Sequence, residues 1–125
     1  MFRLWLILAA LAGLSGVLLA AVMAHGWDLE PGQFRVVDSA ILMQFVHALA
    51  LLATALWAER RGGLLPHLAA GGFALGILGF CGALWTLVFA GRSLGPLAPT
   101  GGMLLMAGWL LLGLSALLPV RGRRP

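Results

Sequence analysis

Gln44 and His47 stand one helical turn apart inside ILMQFVHALALLATALWA, a stretch that otherwise holds nothing more polar than Thr54. An amide and an imidazole in that setting have two uses. They can hydrogen-bond to a facing helix, each contact being worth roughly 1 kcal/mol in a membrane. Alternatively, an ionisable group among apolar residues marks a ligand, proton or ion site. A neutral imidazole is much cheaper to bury than a carboxylate, so both readings stay open. The other chemically able side chains are scattered. Cys81 is the single cysteine, which excludes an internal disulfide, a CxxC redox pair and a cysteine-based zinc site within one chain. Ser15, Ser115 and Cys81 have no base within sequence reach, so no nucleophile and no enzyme are expected. His25 closes the first apolar run, whereas His47 lies nine residues beyond Asp38, about 13 Å further along a helix. With His67 on the opposite side, no metal ligand set converges and no cofactor is expected. A haem or quinone contact shared with a partner subunit is left open.

These side chains must be positioned by elements suited to lipid. Of the 125 residues, 62% are hydrophobic and 10% charged, with a mean hydropathy of +1.03. Soluble domains average near half apolar and a quarter charged, so the composition belongs to the membrane class. Uncharged windows cover residues 4–24, 40–58, 68–90 and 101–118. Each approaches or exceeds the roughly 20 residues that span a hydrocarbon core as a helix. Backbone polar groups in lipid must be satisfied internally, which a helix does and an isolated strand does not. The expectation is an all-α membrane protein, a single domain over residues 1–125 built as a four-transmembrane-helix bundle. A short interfacial helical segment is expected before the second span, because Phe34, Val37, Ile41 and Phe45 fall on one face after Pro31. The first window could be a signal peptide, but its apolar run is longer than the roughly 7–15 residues of such a region, so it is read as retained. No Asp or Glu lies within the windows, which removes the membrane carboxylate that a small cation–proton antiporter needs.

Charge sets direction. All eight basic residues are arginines, against four acids. Arg3, Arg60, Arg61, Arg121, Arg123 and Arg124 collect on one side of the windows, and only Arg35 and Arg92 on the other. Short loops rich in arginine stay in the cytoplasm, so both termini are expected there. Arginines placed at chain ends and in one turn suit lipid headgroups, and no aromatic-interleaved basic patch points to nucleic acid. Trp5, Trp27, Trp57 and Trp85 fall near window ends, where indoles anchor at headgroup level. Each window also has a stripe of small or polar residues at helical spacing. These are Ala9, Gly13, Gly16 and Ala20; Ala40, Gln44, His47, Leu51, Thr54 and Ala58; Gly72, Gly76, Gly79 and Ala83; and Gly101, Gly108 and Ser115. Close backbone approach drives helix association in lipid, so the stripes are expected to face inward and leave no wide aqueous pore.

Four motifs occur in order along nearly the whole chain: LLAAVMAHG, MQFVHALALL, GFCGALW and APTGGMLLMAGW. On these the chain resembles the bacterial domain of unknown function 423 family, related to the transmembrane protein 256 group. The resemblance implies a small four-helix protein of the bacterial inner membrane with no established activity. It marks His25, Gln44 and His47 as the recurring polar positions, and Gly101, Gly102, Gly108 and Trp109 as the recurring glycine–tryptophan motif. The chain departs from the family where Met43 replaces a frequent tyrosine, and where Phe80-Cys81-Gly82-Ala83-Leu84-Trp85 replaces a serine-rich run. Two function classes follow. One is a non-enzymatic accessory or assembly subunit, docking in the bilayer on a larger membrane complex or on further copies of itself. The other is a small-molecule, haem, quinone or proton-handling site around Gln44 and His47.

Overall fold

Glycine and proline punctuate the chain where the helices begin and end. The computed structural model describes residues 1–119, which form α1 (Phe2–His25), α2 (Gln33–Arg61), α3 (Leu65–Ala90) and α4 (Leu97–Leu117). Arg121, Arg123 and Arg124, counted in the charge asymmetry, lie outside the described residues. The turn from α2 to α3 needs Gly62 and Gly63, whose φ angles of 70° and 85° are positions an L side chain rarely adopts. Gly62 N–H caps Ala58 O at 3.0 Å, and Pro66 then opens α3 where its missing N–H costs nothing. Before α2, Gln33 and Glu30 bond reciprocally: Gln33 N–H donates to Glu30 O at 2.9 Å, and Glu30 N–H donates to Gln33 Oε1 at 3.0 Å. The interfacial segment anticipated before the second span is the first turns of α2 itself, with Val37 buried and Phe34 exposed. All four helices are long and apolar enough to cross a membrane. The protein is a four-helix membrane bundle.

Packing is tightest where the small residues are densest. α3 lies on α4 through Gly72, Gly76 and Gly79 against Gly101, Leu105 and Gly108. A Cβ on Gly79 would stand 3.1 Å from Gly101 Cα, and one on Gly101 would overlap the Phe80 N and Gly79 C backbone atoms. Here backbone meets backbone, the approach that dispersion between helices in lipid requires. α2 packs on both α1 and α3. Its inward stripe of Ala40, Gln44, His47, Leu51, Thr54 and Ala58 is buried throughout, between α1 on one side and α3 on the other. α1 is the least embedded: Ala9 and Gly16 are buried, but no atom lies within 4 Å of a Cβ built on Gly13. Leu4, Ile7, Leu11, Leu14 and Leu18 run down its outer face, as Leu42, Leu49 and Leu56 do on α2. Leucine outside and glycine inside is the arrangement that lipid as solvent selects.

Candidate functional site

The two polar residues of α2 face different neighbours. Gln44 is 4% exposed and joins three helices. Its Nε2 donates to Ala12 O and to Ser15 Oγ of α1, both at 2.9 Å. Its Oε1 accepts the Trp85 indole N–H of α3, also at 2.9 Å. These partners fix which end of the amide is oxygen: a carbonyl can only accept and an indole N–H can only donate. Ser15 completes the node by donating to Ala12 O at 3.1 Å.

His47, 5% exposed, serves α4 instead. Trp109 Nε1 donates to His47 Nε2 at 3.2 Å, so that nitrogen presents a lone pair and the ring hydrogen sits on Nδ1. Nδ1 then donates to Met43 O, one turn back on α2, at 2.7 Å. Phe73 of α3 closes the cluster, with its ring centroid 6.0 Å from His47 and 5.2 Å from Trp109. Gly108 leaves room for it: a Cβ there would meet Phe73 Cδ1 at 2.8 Å. Both ring nitrogens of His47 are thus engaged.

The remaining candidates lie apart. His25 is exposed at the end of α1, away from both nodes. His67 accepts the Trp5 indole N–H at 2.9 Å, which joins the starts of α1 and α3. Cys81 is buried, its thiol directed at Ala40 O over 3.8 Å. Among the described residues no three His, Cys, Asp or Glu side chains gather closely enough for a metal ion, and every buried side-chain nitrogen and oxygen has a partner. Gly102 has only the Phe80 ring near it, 3.6 Å from a built Cβ, and is the loosest of the α4 glycines facing α3.

Assigning Trp5, Trp57 and Trp85 to headgroup anchoring, and Trp109 to a packing motif, overlooked their donors. Trp5, Trp57, Trp85 and Trp109, one from each helix, each give an indole N–H to a side chain on another helix. Trp57 donates to Ser115 Oγ at 2.9 Å, beside the Arg61 guanidinium that reaches Leu118 O. A signal was present in the sequence: Ser15 is the lone hydroxyl of α1 and Ser115 the one hydroxyl of α4 beyond its first turn, and each needed a partner.

Beside the Gln44 node, α1 and α3 leave between them a cleft of about 430 Å³. Leu8, Leu11, Ala12 and Leu19 form one wall, and Ala74, Ile77, Leu78, Cys81, Gly82 and Trp85 the other. Gln44 and Leu51 of α2 supply the floor. Exposed Leu11 and Leu78 stand at the mouth, so the cleft opens sideways toward lipid. His47 does not line it. Another, smaller groove of about 260 Å³ runs between α1 and α2, past Ala9, Ala10, Gly13 and Ala48.

The family model described as "Protein of unknown function (DUF423)" matches residues 19–102, from the last turns of α1 through the start of α4. The chain belongs to the DUF423 family. It is 36% identical to a UPF0382 membrane protein of Haemophilus influenzae over 111 residues, covering 86% of this chain and 89% of the relative. A Staphylococcus haemolyticus UPF0382 membrane protein is 32% identical, with 90% and 94% covered. The Escherichia coli K12 UPF0382 inner membrane protein YgdD is 30% identical, with 92% and 90% covered. No solved structure shows significant similarity to the chain.

Proposed function

We propose that the protein is a non-enzymatic module of the bacterial inner membrane, acting as one domain, that holds a membrane-dissolved molecule in the cleft between α1 and α3. The observation that carries this reading is the cleft itself. Its volume of about 430 Å³ falls within the roughly 300–1,000 Å³ range of small-molecule sites. Its walls are apolar, and its few polar groups converge at Ser15, Gln44 and Trp85. Those groups are engaged in holding helices together, which favours binding over catalysis. The inner membrane follows from the name of the YgdD relative together with four membrane-length helices. Blocking the cleft tests the reading. No atom lies within 4 Å of a Cβ built on Gly82, so Gly82→Phe can project a ring into the space without disturbing the backbone. Both proteins, purified in native-lipid nanodiscs, would be analysed by native mass spectrometry. A small molecule retained by the wild type and lost from folded Gly82→Phe is expected; equal retention by both would sink the proposal.

The groove between α1 and α2 favours a second reading, the accessory subunit. Its small residues Ala9, Ala10, Gly13 and Ala48 would let a foreign helix approach closely. Gly13→Leu should then release a partner from complexes isolated in mild detergent while leaving the monomer folded. Unchanged complexes would remove this reading.

A further inference from the structure

The hydrogen-bond inventory of the cleft is one-sided, and from it we infer that the cleft selects a membrane-dissolved alcohol, a single hydroxyl on an apolar body, over the matching ketone or ether. This deepens the binding reading and rests on it. Every hydrogen on the cleft's oxygen and nitrogen atoms is already spent. Both Gln44 Nε2 hydrogens go to Ala12 O and Ser15 Oγ, and the Ser15 hydroxyl hydrogen goes to Ala12 O. The Trp85 indole hydrogen goes to Gln44 Oε1, and the weakly donating Cys81 thiol is turned to Ala40 O. The unspent capacity is lone pairs: one on Gln44 Oε1 and one on Ser15 Oγ, each oxygen having used one of its two. The amide cannot reverse to offer an N–H, because its oxygen would then oppose Ala12 O and its nitrogen the Trp85 donor. A ligand that brings the hydrogen leaves every one of these bonds in place. A ketone or ether oxygen would have to draw the Ser15 hydrogen away from Ala12 O.

Depth narrows the class further. Ser15 sits near the middle of α1, ten residues or about 15 Å from its end at His25. Phospholipid headgroups stay at the interface, so a polar spot at mid-membrane suits a molecule dissolved wholly in the bilayer. Below that spot the cleft continues about 10 Å toward Leu8 and Ala74, length for an apolar chain.

Hexadecanol and its methyl ether separate the possibilities, since they share the chain and differ by one donor. Displacement of a deuterated hexadecanol from nanodisc-held protein would be followed by native mass spectrometry for the wild type, Ser15→Ala and Gly82→Phe. The expected result is that the alcohol binds about fivefold more tightly than the ether, in line with one buried hydrogen bond. Ser15→Ala, which keeps the Gln44 bond to Ala12, should narrow that gap while the ether's own affinity holds. Equal wild-type affinity for both probes, abolished by Gly82→Phe, would overturn the donor rule and leave cleft binding standing. If only phospholipid is retained in the cleft and neither probe displaces it, the alcohol assignment is wrong. If Gly82→Phe changes nothing for any species, the cleft reading falls as well.

Discussion

At the residue scale, the molecule depends on side chains that satisfy one another across helix interfaces. His47 and Trp109 form one such couple. His47→Leu leaves the Trp109 N–H without its acceptor, and Trp109→Phe leaves the His47 Nε2 lone pair facing a ring. Each single change should cost about 1 kcal/mol, with the double variant costing less than their sum. Reversible unfolding in mixed micelles would measure the cycle; strict additivity would mean the 3.2 Å contact contributes nothing. His47→Gln should be milder than His47→Leu, since an amide can still accept from the indole. Gln44→Leu should be the most damaging of these substitutions. It removes bonds to both α1 and α3, whereas His47 crosses to α4 alone. Trypsin digestion would report it as early loss of α1.

At the element scale, glycines with the same spacing have unequal consequences because their surroundings differ. Gly101→Ala places a methyl group on the Phe80 and Gly79 backbone and must push α3 and α4 apart. Gly13→Ala meets open space. The first should lower the detergent melting temperature clearly, and the second should leave it unchanged. Equal melting would mean α3 and α4 do not pack through that line. Likewise Gly76→Leu, whose Cβ alone would sit 2.5 Å from Leu105 Cδ2 and 3.0 Å from Gly101 O, should destabilise more than Leu104→Ala on the less crowded flank.

At the scale of the whole molecule, Arg3, Arg60 and Arg61 gather at one end of the bundle, and Arg35 and Arg92 at the other. With Arg121, Arg123 and Arg124 added from the sequence, the asymmetry predicts that both termini are cytoplasmic. An alkaline phosphatase fusion after Arg124 should then be inactive, and high periplasmic activity would reverse the orientation.

Hydropathy and glycine spacing were enough to read four spans, because lipid demands long apolar helices and close small-residue contacts wherever the chain crosses it. The inward stripe of α2 and the glycine line of α4 were legible for the same reason: helical periodicity places those residues on one face. Periodicity states which residues share a face but not which helix that face meets. Gln44 and His47 read as one site because they are one turn apart, yet Gln44 binds α1 and α3 while His47 binds α4. The difference arises because α2 has neighbours on more than one flank, and two side chains a turn apart can lean to different ones. Tryptophans near span ends suit an interface by composition; only the packed bundle turned four indole N–H groups to partners on other helices. The cleft was invisible in the sequence because it is a gap between α1 and α3, set by how far apart their neighbours hold them.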